Sequence, residues 1–338
     1  MREEKNMYLN KKLLILLSAF TLNSFAVSGN SSAPVSAPAH SQAGSSVQQN
    51  KSLDHSPVTT LNTISAGVIL ASTERGGLFL YRNQRWASIG NAPDGQQIYR
   101  TAVLNGSIYV LTAANVVYQV NASAKKWQLL PITKNLKIWD IAVAGDSVYL
   151  AGTNGDNYLL QKGKLKKLPS LEIKSLYAVS EHEVYAGDAS GQLYRFTDKL
   201  LDKGWKKEAS LDGYNKPIWS INKSPVEGII AGTDNGNVVK YDKDTDSLQP
   251  IGNPILSQFD NSKVWYLQAD SENIYTVTDN GSLFVYHDGY WKKHAINIAN
   301  ETDCKIWSIY ISGKTLYIGT ESGMVIAYNL VSEKISIL

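Results

Sequence analysis

The sequence predicts an all-β fold, and the prediction rests on a repeat, on its composition and on its turns. A short strand that ends in Thr or Asp and runs into a turn recurs seven times, about every 40 residues. The segments between these turns alternate apolar and polar residues and are rich in Val, Ile, Tyr and Trp, which favour strands. The strand-ending residues are Thr73, Thr112, Thr153, Asp188, Thr233, Thr278 and Thr320.

Each repeat has room for four antiparallel strands, as the last copy illustrates. Its segments KIWSIYI, TLYIGT, MVIAYNL and KISIL, between residue 305 and the C-terminus, are predicted as strands a to d. A single sheet of this kind leaves both faces uncovered, so it must pack against neighbouring copies. The sequence therefore predicts a seven-bladed β-propeller of four-stranded antiparallel blades over residues 58–338. We expect the ring to close by face packing between the last and first blades, or at most through a short strand from residues 53–60.

The first 57 residues differ in composition from the repeats. Lys11 and Lys12 precede an apolar run, and small residues follow around Ala26 and Ser28, the pattern of a secretory signal. We therefore predict a signal peptide over residues 1–28 and a secreted or periplasmic location. Residues 29–57, rich in Ser, Ala, Pro and Gln, are predicted to be a disordered linker. The apolar run is too short for a resident span, so we expect no membrane span after cleavage; an uncleaved anchor is the alternative.

The net charge argues against a nucleic-acid partner, and the cysteine count argues against an intramolecular disulfide. Removal of residues 1–28 takes away four basic and two acidic residues, which lowers the formal charge from +3 to +1. A nearly neutral chain has no general attraction to nucleic acid, so no nucleic-acid partner is expected. Lysine pairs on the fourth strands are interpreted as protection of the outer sheet edges. Cys304 is the only cysteine, so packing rather than an intramolecular disulfide must stabilise the fold.

The repeat resembles a known group of proteins. An Ile-Trp pair opens strand a, and strand b ends in Ala-Gly-Thr before an Asn-Gly turn, as in the WD-repeat-like, regulator-type and quinoprotein-like superfamily of bacterial propellers. The chain departs from true WD repeats because no Trp-Asp pair closes strand c. It departs from kelch repeats because their Gly doublet appears only at Gly76 and Gly77. The resemblance implies the architecture and a non-enzymatic role. Two units, VYQVNASAKKWQLL and FVYHDGYWKKHAI, look like tectonin-type lectin repeats, which keeps carbohydrate binding as an alternative.

Candidate binding residues gather at one end of the blades. The start of strand a and the turn between strands b and c lie at the same end of each sheet, and strand a is innermost, so these residues ring the channel mouth. Aromatic rings beside amines suit a peptide, sugar or acidic ligand, although most of the Trp rings are interpreted first as packing that fills the wedge between blades. The candidates are Tyr99, Lys137, Trp139, Tyr177, Lys216, Trp219, Lys263, Trp265, Lys305 and Trp307.

Catalysis at this mouth would require convergent acid, base or metal-binding groups. The histidines lie in the linker, in a turn at the opposite end, at the end of a strand c and on an outer strand, and no carboxylate pair or Cys pair is positioned there. Each turn between strands b and c offers one carboxylate, too few for calcium. We predict a non-enzymatic, monomeric interaction or scaffold module without cofactor or metal, which binds a protein partner through the channel mouth. The alternative is a lectin-like, carbohydrate-binding propeller.

Overall fold

The computed structural model of the protein describes residues 52–130, 136–197, 204–210, 216–252, 262–298 and 304–338. The predicted signal peptide and residues 29–51 of the predicted linker lie outside these ranges. Within them, no helix has both the length and the apolar character that crossing a bilayer requires.

The described residues form 28 strands in seven four-stranded antiparallel sheets, each ordered a-b-c-d along the chain. Blade one contains β1 (Val58–Ser65), β2 (Val68–Thr73), β3 (Gly77–Arg82) and β4 (Arg85–Asn91), and blade two contains β5 (Ile98–Leu104), β6 (Ser107–Thr112), β7 (Val117–Asn121) and β8 (Lys126–Leu129). Blade three contains β9 (Ile138–Ala144), β10 (Ser147–Gly152), β11 (Tyr158–Gln161) and β12 (Lys164–Lys167), and blade four contains β13 (Ser175–Ser180), β14 (Glu183–Gly187), β15 (Gln192–Thr197) and β16 (Gly204–Ser210).

The remaining blades repeat the same order. Blade five contains β17 (Ile218–Ser224), β18 (Gly228–Thr233), β19 (Val238–Asp242) and β20 (Ser247–Pro250), with a 3₁₀ turn at Asp234–Gly236. Blade six contains β21 (Val264–Ala269), β22 (Ile274–Thr278), β23 (Leu283–His287) and β24 (Tyr290–Lys293), and blade seven contains β25 (Ile306–Ser312), β26 (Thr315–Thr320), β27 (Val325–Asn329) and β28 (Ile335–Ile337). The prediction of a seven-bladed propeller with four antiparallel strands per blade is confirmed.

The core lies between the blades. The buried apolar residues form seven clusters, and each cluster joins two neighbouring blades, including the seventh and the first. Burial of apolar surface is the main favourable term in folding, and here no blade buries its surface by itself. This distribution explains why the chain repeats one unit until the ring is complete.

A glycine before the strand-ending Thr or Asp allows neighbouring blades to approach closely. A Cβ on Gly232 would lie 2.3 Å from Val264 of the next blade, and one on Gly187 would lie 2.5 Å from Ile218. Such contacts are too short for any side chain, so these positions require glycine. The Ala-Gly-Thr ending of strand b is therefore a packing requirement between blades.

Blades seven and one meet through their faces and share no strand. Gly319 provides the same close approach, because its Cβ would lie 2.7 Å from Val58. The Ser308 hydroxyl donates a hydrogen bond of 2.7 Å to the Val58 carbonyl, and Val58 packs in one buried cluster with Val325. Of the two closures that the sequence left open, the described residues show face packing.

Residues 52–57 bridge the last and first blades. The Leu53 amide donates to the Gly323 carbonyl at 2.9 Å, and the Ser52 hydroxyl donates to the Ser322 carbonyl at 2.8 Å. The Asp54 carboxylate accepts a hydrogen bond of 2.5 Å from Thr73 in blade one. The last six residues of the predicted linker thus belong with the ring.

Candidate binding site at the channel mouth

The channel mouth is built from the starts of the a strands and the turns between strands b and c. Backbone hydrogen bonds join the two: Thr153 donates to the Lys137 carbonyl at 2.8 Å, and Glu321 donates to the Lys305 carbonyl at 2.9 Å. The turns themselves are held by the strand-ending residues, since the Gly77 amide donates to the Thr73 hydroxyl at 3.0 Å. The mouth is thus a ring of turns fixed to the innermost strands.

A bulge in strand a orients the aromatic residues at the mouth. In six blades the pairing of strands a and b shifts by one residue at this end, and in five of them the unpaired residue is aromatic. A bulged residue leaves the ladder, and its side chain is redirected. The aromatic residues on these bulges are Tyr99, Trp139, Trp219, Trp265 and Trp307.

Three of the tryptophans form a row along one side of the mouth. The ring centroids of Trp139 and Trp219 are 6.4 Å apart, and those of Trp219 and Trp265 are 5.6 Å apart, in tilted arrangements. These separations are typical of favourable aromatic pairs. Trp219 is buried in the centre of the row, with 7% of its surface exposed, whereas Trp139 and Trp265 are half-buried. Trp307 and Tyr99 are also half-buried.

Blade four departs from the pattern, and the sequence alignment missed its mouth residue. Ser175 pairs with Gly187 as Ser220 pairs with Gly232, so Lys174 occupies the position that Trp219 holds in blade five. Tyr177 lies three residues further along and packs in the apolar cluster between blades four and five. The signal was the segment IKSL, which lies at the same distance before Asp188 as IWSI does before Thr233.

Two lysine amines lie over tryptophan rings in this row. The Nζ of Lys174 is 5.3 Å from the centroid of Trp139, and the Trp139 indole donates to the Lys174 carbonyl at 2.8 Å. The Nζ of Lys263 is 4.8 Å from the centroid of Trp219. Each contact is a cation–π interaction of about 0.5–2 kcal/mol, depending on exposure. Two indole faces of the row thus each have a lysine amine positioned over them by a cation–π contact.

The other candidate lysines extend into solvent. Lys137 and Lys216 are exposed, and the Nζ of exposed Lys305 lies 3.6 Å from the Glu321 carboxylate. Carboxylates are also present in the row, since the Trp219 indole donates to Asp234. The mouth thus combines aromatic rings with charges of both signs.

A polar network crosses the channel below the tryptophan row. The Nε of Arg100 in blade two lies 3.3 Å from the Asp140 carboxylate in blade three, and its Nη1 lies 3.4 Å from the Tyr266 hydroxyl in blade six. That hydroxyl donates to the Thr59 carbonyl in blade one at 2.5 Å. Because these residues come from blades spread around the ring, the mouth has a polar floor.

Asp140 is the most enclosed member of this network, with 7% of its side chain exposed against 27% for Arg100. Its second oxygen accepts the Leu176 amide of blade four at 2.9 Å, and its first accepts the Ile141 amide at 2.9 Å. Burial raises the pKa of the Asp140 carboxyl, and the Arg100 guanidinium and these two amides act in the opposite direction. Removal of either charged partner would leave the other buried without compensation.

Among the described residues, no group of three or more His, Cys, Asp or Glu side chains is arranged to hold a metal ion. Cys304 is buried just before strand a of blade seven, with 3% of its surface exposed.

The channel, its seven blades and the closed ring allow comparison with known proteins. No protein-family model matches the sequence, and no curated protein matches it. Solved structures do match: the extracellular domain of a B. thetaiotaomicron protein described as a one-component system has 22% identity and a TM-score of 0.65 over 80% of this chain. The chain has the β-propeller fold.

Two further propellers of similar length agree with that assignment. YCF48 bound to D1 peptide has 12% identity and a TM-score of 0.62, and the match covers 81% of this chain and 94% of the other. The WD40 propeller domain of Doa1 has 10% identity and a TM-score of 0.63, covering 80% and 91%. The match with the present chain covers only about 38% of the length of the B. thetaiotaomicron chain. At these identities the likeness establishes the fold alone.

Proposed function

We propose that the protein is a non-enzymatic interaction module that docks a protein partner through its channel mouth. The observation that carries the proposal is the row of Trp139, Trp219 and Trp265 with two lysine amines held over its rings. Tryptophan is enriched among the residues that dominate binding energy at protein interfaces. Half-buried rings present apolar surface to a partner and lose little side-chain entropy when they bind.

The floor of the mouth supports this role. The network of Arg100, Asp140 and Tyr266 ties the innermost strands together, so the tryptophan row rests on a fixed base. A preorganised surface loses less free energy to ordering on binding. YCF48, a propeller of the same fold, has been solved with D1 peptide bound. By analogy, a peptide segment of the partner is the occupant that we propose.

The location that we propose is the periplasm or the cell exterior. The sequence of residues 1–28 supports it, as does the likeness to a propeller that is itself an extracellular domain. The experiment is N-terminal sequencing of the chain recovered from fractionated cells. A start at residue 27 or 29 in the envelope or medium supports the proposal, and a full-length chain in the cytoplasm contradicts it.

Docking is tested by comparing two charge reversals. The purified chain would capture partners from envelope extract, and the affinity for each partner identified by mass spectrometry would then be measured for Lys263→Glu and Lys206→Glu. Lys206 is an exposed lysine on strand d of blade four and serves as the matched control. We expect at least tenfold weaker binding for Lys263→Glu and little change for the control. Equal affinities for both variants and the unaltered chain would rule out this face.

A second candidate is a lectin-like mouth, favoured by the part of Trp139, Trp265 and Trp307 that stays exposed. Sugar rings stack on such indole faces. Glycan-array binding that disappears in Trp265→Ala and Trp307→Ala, with the melting temperature preserved, would support it. Binding that persists in both variants would exclude a role for these rings.

A further inference from the structure

A cleft lies between blades one and two, at the end of the ring opposite the channel mouth. The turns between strands a and b, at residues 64–68 and 106–107, border it together with the c–d ends of both blades. Its volume is about 880 Å³, within the range of small-ligand clefts, which is roughly 300–1,000 Å³. The cleft is separate from the tryptophan row, so a ligand there would not compete with a partner at the mouth.

The side chains that line this cleft include apolar ones, such as Leu80 and Val120, and a larger set of polar and basic ones. Four of them carry amides, two carry positive charge, and no carboxylate or aromatic ring is among the described residues that line it. Amides both donate and accept hydrogen bonds, and an arginine guanidinium binds a planar anion through two donors. The amides and cations belong to Asn83, Gln119, Asn121, Gln128, Arg82 and Lys126, and Ser65, Ser107 and Ser123 add hydroxyl groups.

The basic residues of the cleft are not neutralised locally. Arg82 lies directly opposite Arg85 across strands β3 and β4, and like charges at such positions repel. Within the described ranges neither Arg82 nor Lys126 makes an ion pair or side-chain hydrogen bond, whereas Lys240 lies 2.8 Å from Glu227. An anion bound in the cleft beside Arg82 would offset its repulsion with Arg85.

Charge is segregated within the first two blades. Residues 58–130 contain two acidic residues, Glu74 and Asp94, and both precede or follow strands at the mouth end. The opposite end carries Arg82, Arg85 and the lysine pair at 125–126. Asp146, in the turn between strands a and b of blade three, accepts a hydrogen bond from Asn105 at 2.8 Å. The end of the ring that holds the cleft is therefore positive over two blades.

We propose that this cleft binds an acidic oligosaccharide, in which sugar hydroxyls bond to the amides and an anionic group bonds to Arg82 and Lys126. The anionic group is a carboxylate or a sulfate. Recognition of either involves the same guanidinium and amine donors.

The test is calorimetric titration of the full chain with three probes: a trigalacturonate, the neutral galactose trisaccharide and a sulfated trisaccharide. We expect binding of one or both anionic probes, at least tenfold tighter than binding of the neutral one. The probe that binds more tightly identifies the anionic group as carboxylate or sulfate. Equal binding of the neutral probe, or no binding of either anionic probe, would overturn the proposal.

Two double variants locate the site. The double variant Arg82→Ala with Lys126→Ala is expected to bind the anionic probe at least tenfold more weakly, with an unchanged melting temperature. The control double variant, Lys206→Ala with Lys207→Ala on the outer strand of blade four, is expected to keep the affinity of the unaltered chain. Trp265→Ala is expected to bind the anionic probe normally, so failure at the mouth and failure at the cleft are distinguishable. Loss of binding in Trp265→Ala alone would place the acidic glycan at the mouth and refute the cleft.

Discussion

Arg100 in the second blade and Tyr266 in the sixth meet at the centre of the ring, with the guanidinium Nη1 3.4 Å from the phenol oxygen. The guanidinium carbon also lies 5.4 Å from the centroid of the Tyr266 ring. Neighbouring blades of the ring are joined by packed faces, but this contact joins blades that are not neighbours. It links blade six directly to blade two, and the hydrogen bond from the Tyr266 hydroxyl to the Thr59 carbonyl adds a direct link to blade one.

The first prediction removes the Tyr266 hydroxyl. Tyr266→Phe leaves the Thr59 carbonyl and Arg100 each without one hydrogen bond, so we expect the free energy of unfolding to fall by about 1–2 kcal/mol. Urea unfolding followed by fluorescence measures it. Tyr310→Phe is the control, since its hydroxyl makes one contact of 3.3 Å with Thr63 and should change stability less. Equal losses in the two variants would contradict a special role for the network.

The second prediction concerns the charged pair beneath the mouth. Arg100→Leu leaves the Asp140 carboxylate buried without its cation, and we expect a loss of about 3–5 kcal/mol in unfolding free energy. The double variant Arg100→Leu with Asp140→Leu removes both charges and is expected to recover much of that loss. Chemical denaturation of the unaltered protein, Arg100→Leu, Asp140→Leu and the double variant gives the coupling energy. A double variant no more stable than Arg100→Leu would show that the buried charge is not the cause.

The repeat made the ring predictable, because fixed offsets around the strand-ending Thr or Asp mark every blade. The repeat did not reveal the polar network. Arg100, Asp140 and Tyr266 occupy one equivalent position on strand a, where the fourth, fifth and seventh blades have serine. In those blades a serine hydroxyl bonds the next blade, as Ser220 does to the Val264 carbonyl at 3.0 Å. The departures from the repeat at this one position were visible in the sequence, but the contact across the axis depends on distances that no pattern contains.

The sequence predicted where the candidate tryptophans lie on the strands, but it did not predict how far each ring is exposed to solvent. A tryptophan at the start of strand a suits both inter-blade packing and ligand contact, and the structure divides the row between the two, with Trp219 buried and its neighbours half-buried. Lys174 lies 14 residues before Asp188, the same offset as Trp139 has from Thr153, but it was missed because it is not aromatic and the nearby Tyr177 is. The pairing of Ser175 with Gly187 gives the same alignment as the constant offset from Asp188.

The third prediction tests the close approach between blades. Gly232→Ala would place a Cβ 2.3 Å from Val264, so we expect a loss of about 1–3 kcal/mol in unfolding free energy from overpacking. Gly163→Ala is the matched control, because a Cβ there meets nothing within 4 Å. The only expected loss of stability comes from the backbone strain of an alanine at a φ of 71°. Thermal unfolding of the unaltered protein and the two variants measures the two losses. A smaller loss for Gly232→Ala than for the control would show that the blades yield at this contact.

The fourth prediction concerns the pH dependence of stability through His294. Its ring is half-buried at the end of blade six and meets the Tyr328 ring edge-on at 5.4 Å. Burial lowers the pKa of His294 below its usual 6.5, with Lys292 acting in the same direction and Glu333 against it. The folded protein therefore binds this proton less readily than the unfolded chain. Stability is fully present above pH about 6.5 and declines as pH falls towards the folded pKa.

Replacement of this ring isolates its contribution. His294→Phe keeps an aromatic contact with Tyr328 and cannot take up a proton, so we expect its melting temperature to fall less between pH 7.5 and 5.0 than that of the unaltered protein. His182→Phe is the control, since the exposed His182 ring lies 3.2 Å from Glu181 in water. Melting curves across the range, for all three proteins in one buffer series, measure the difference. If His294→Phe loses as many degrees on acidification as the unaltered chain, other groups determine the acid sensitivity, and the burial of this ring has no measurable effect on it.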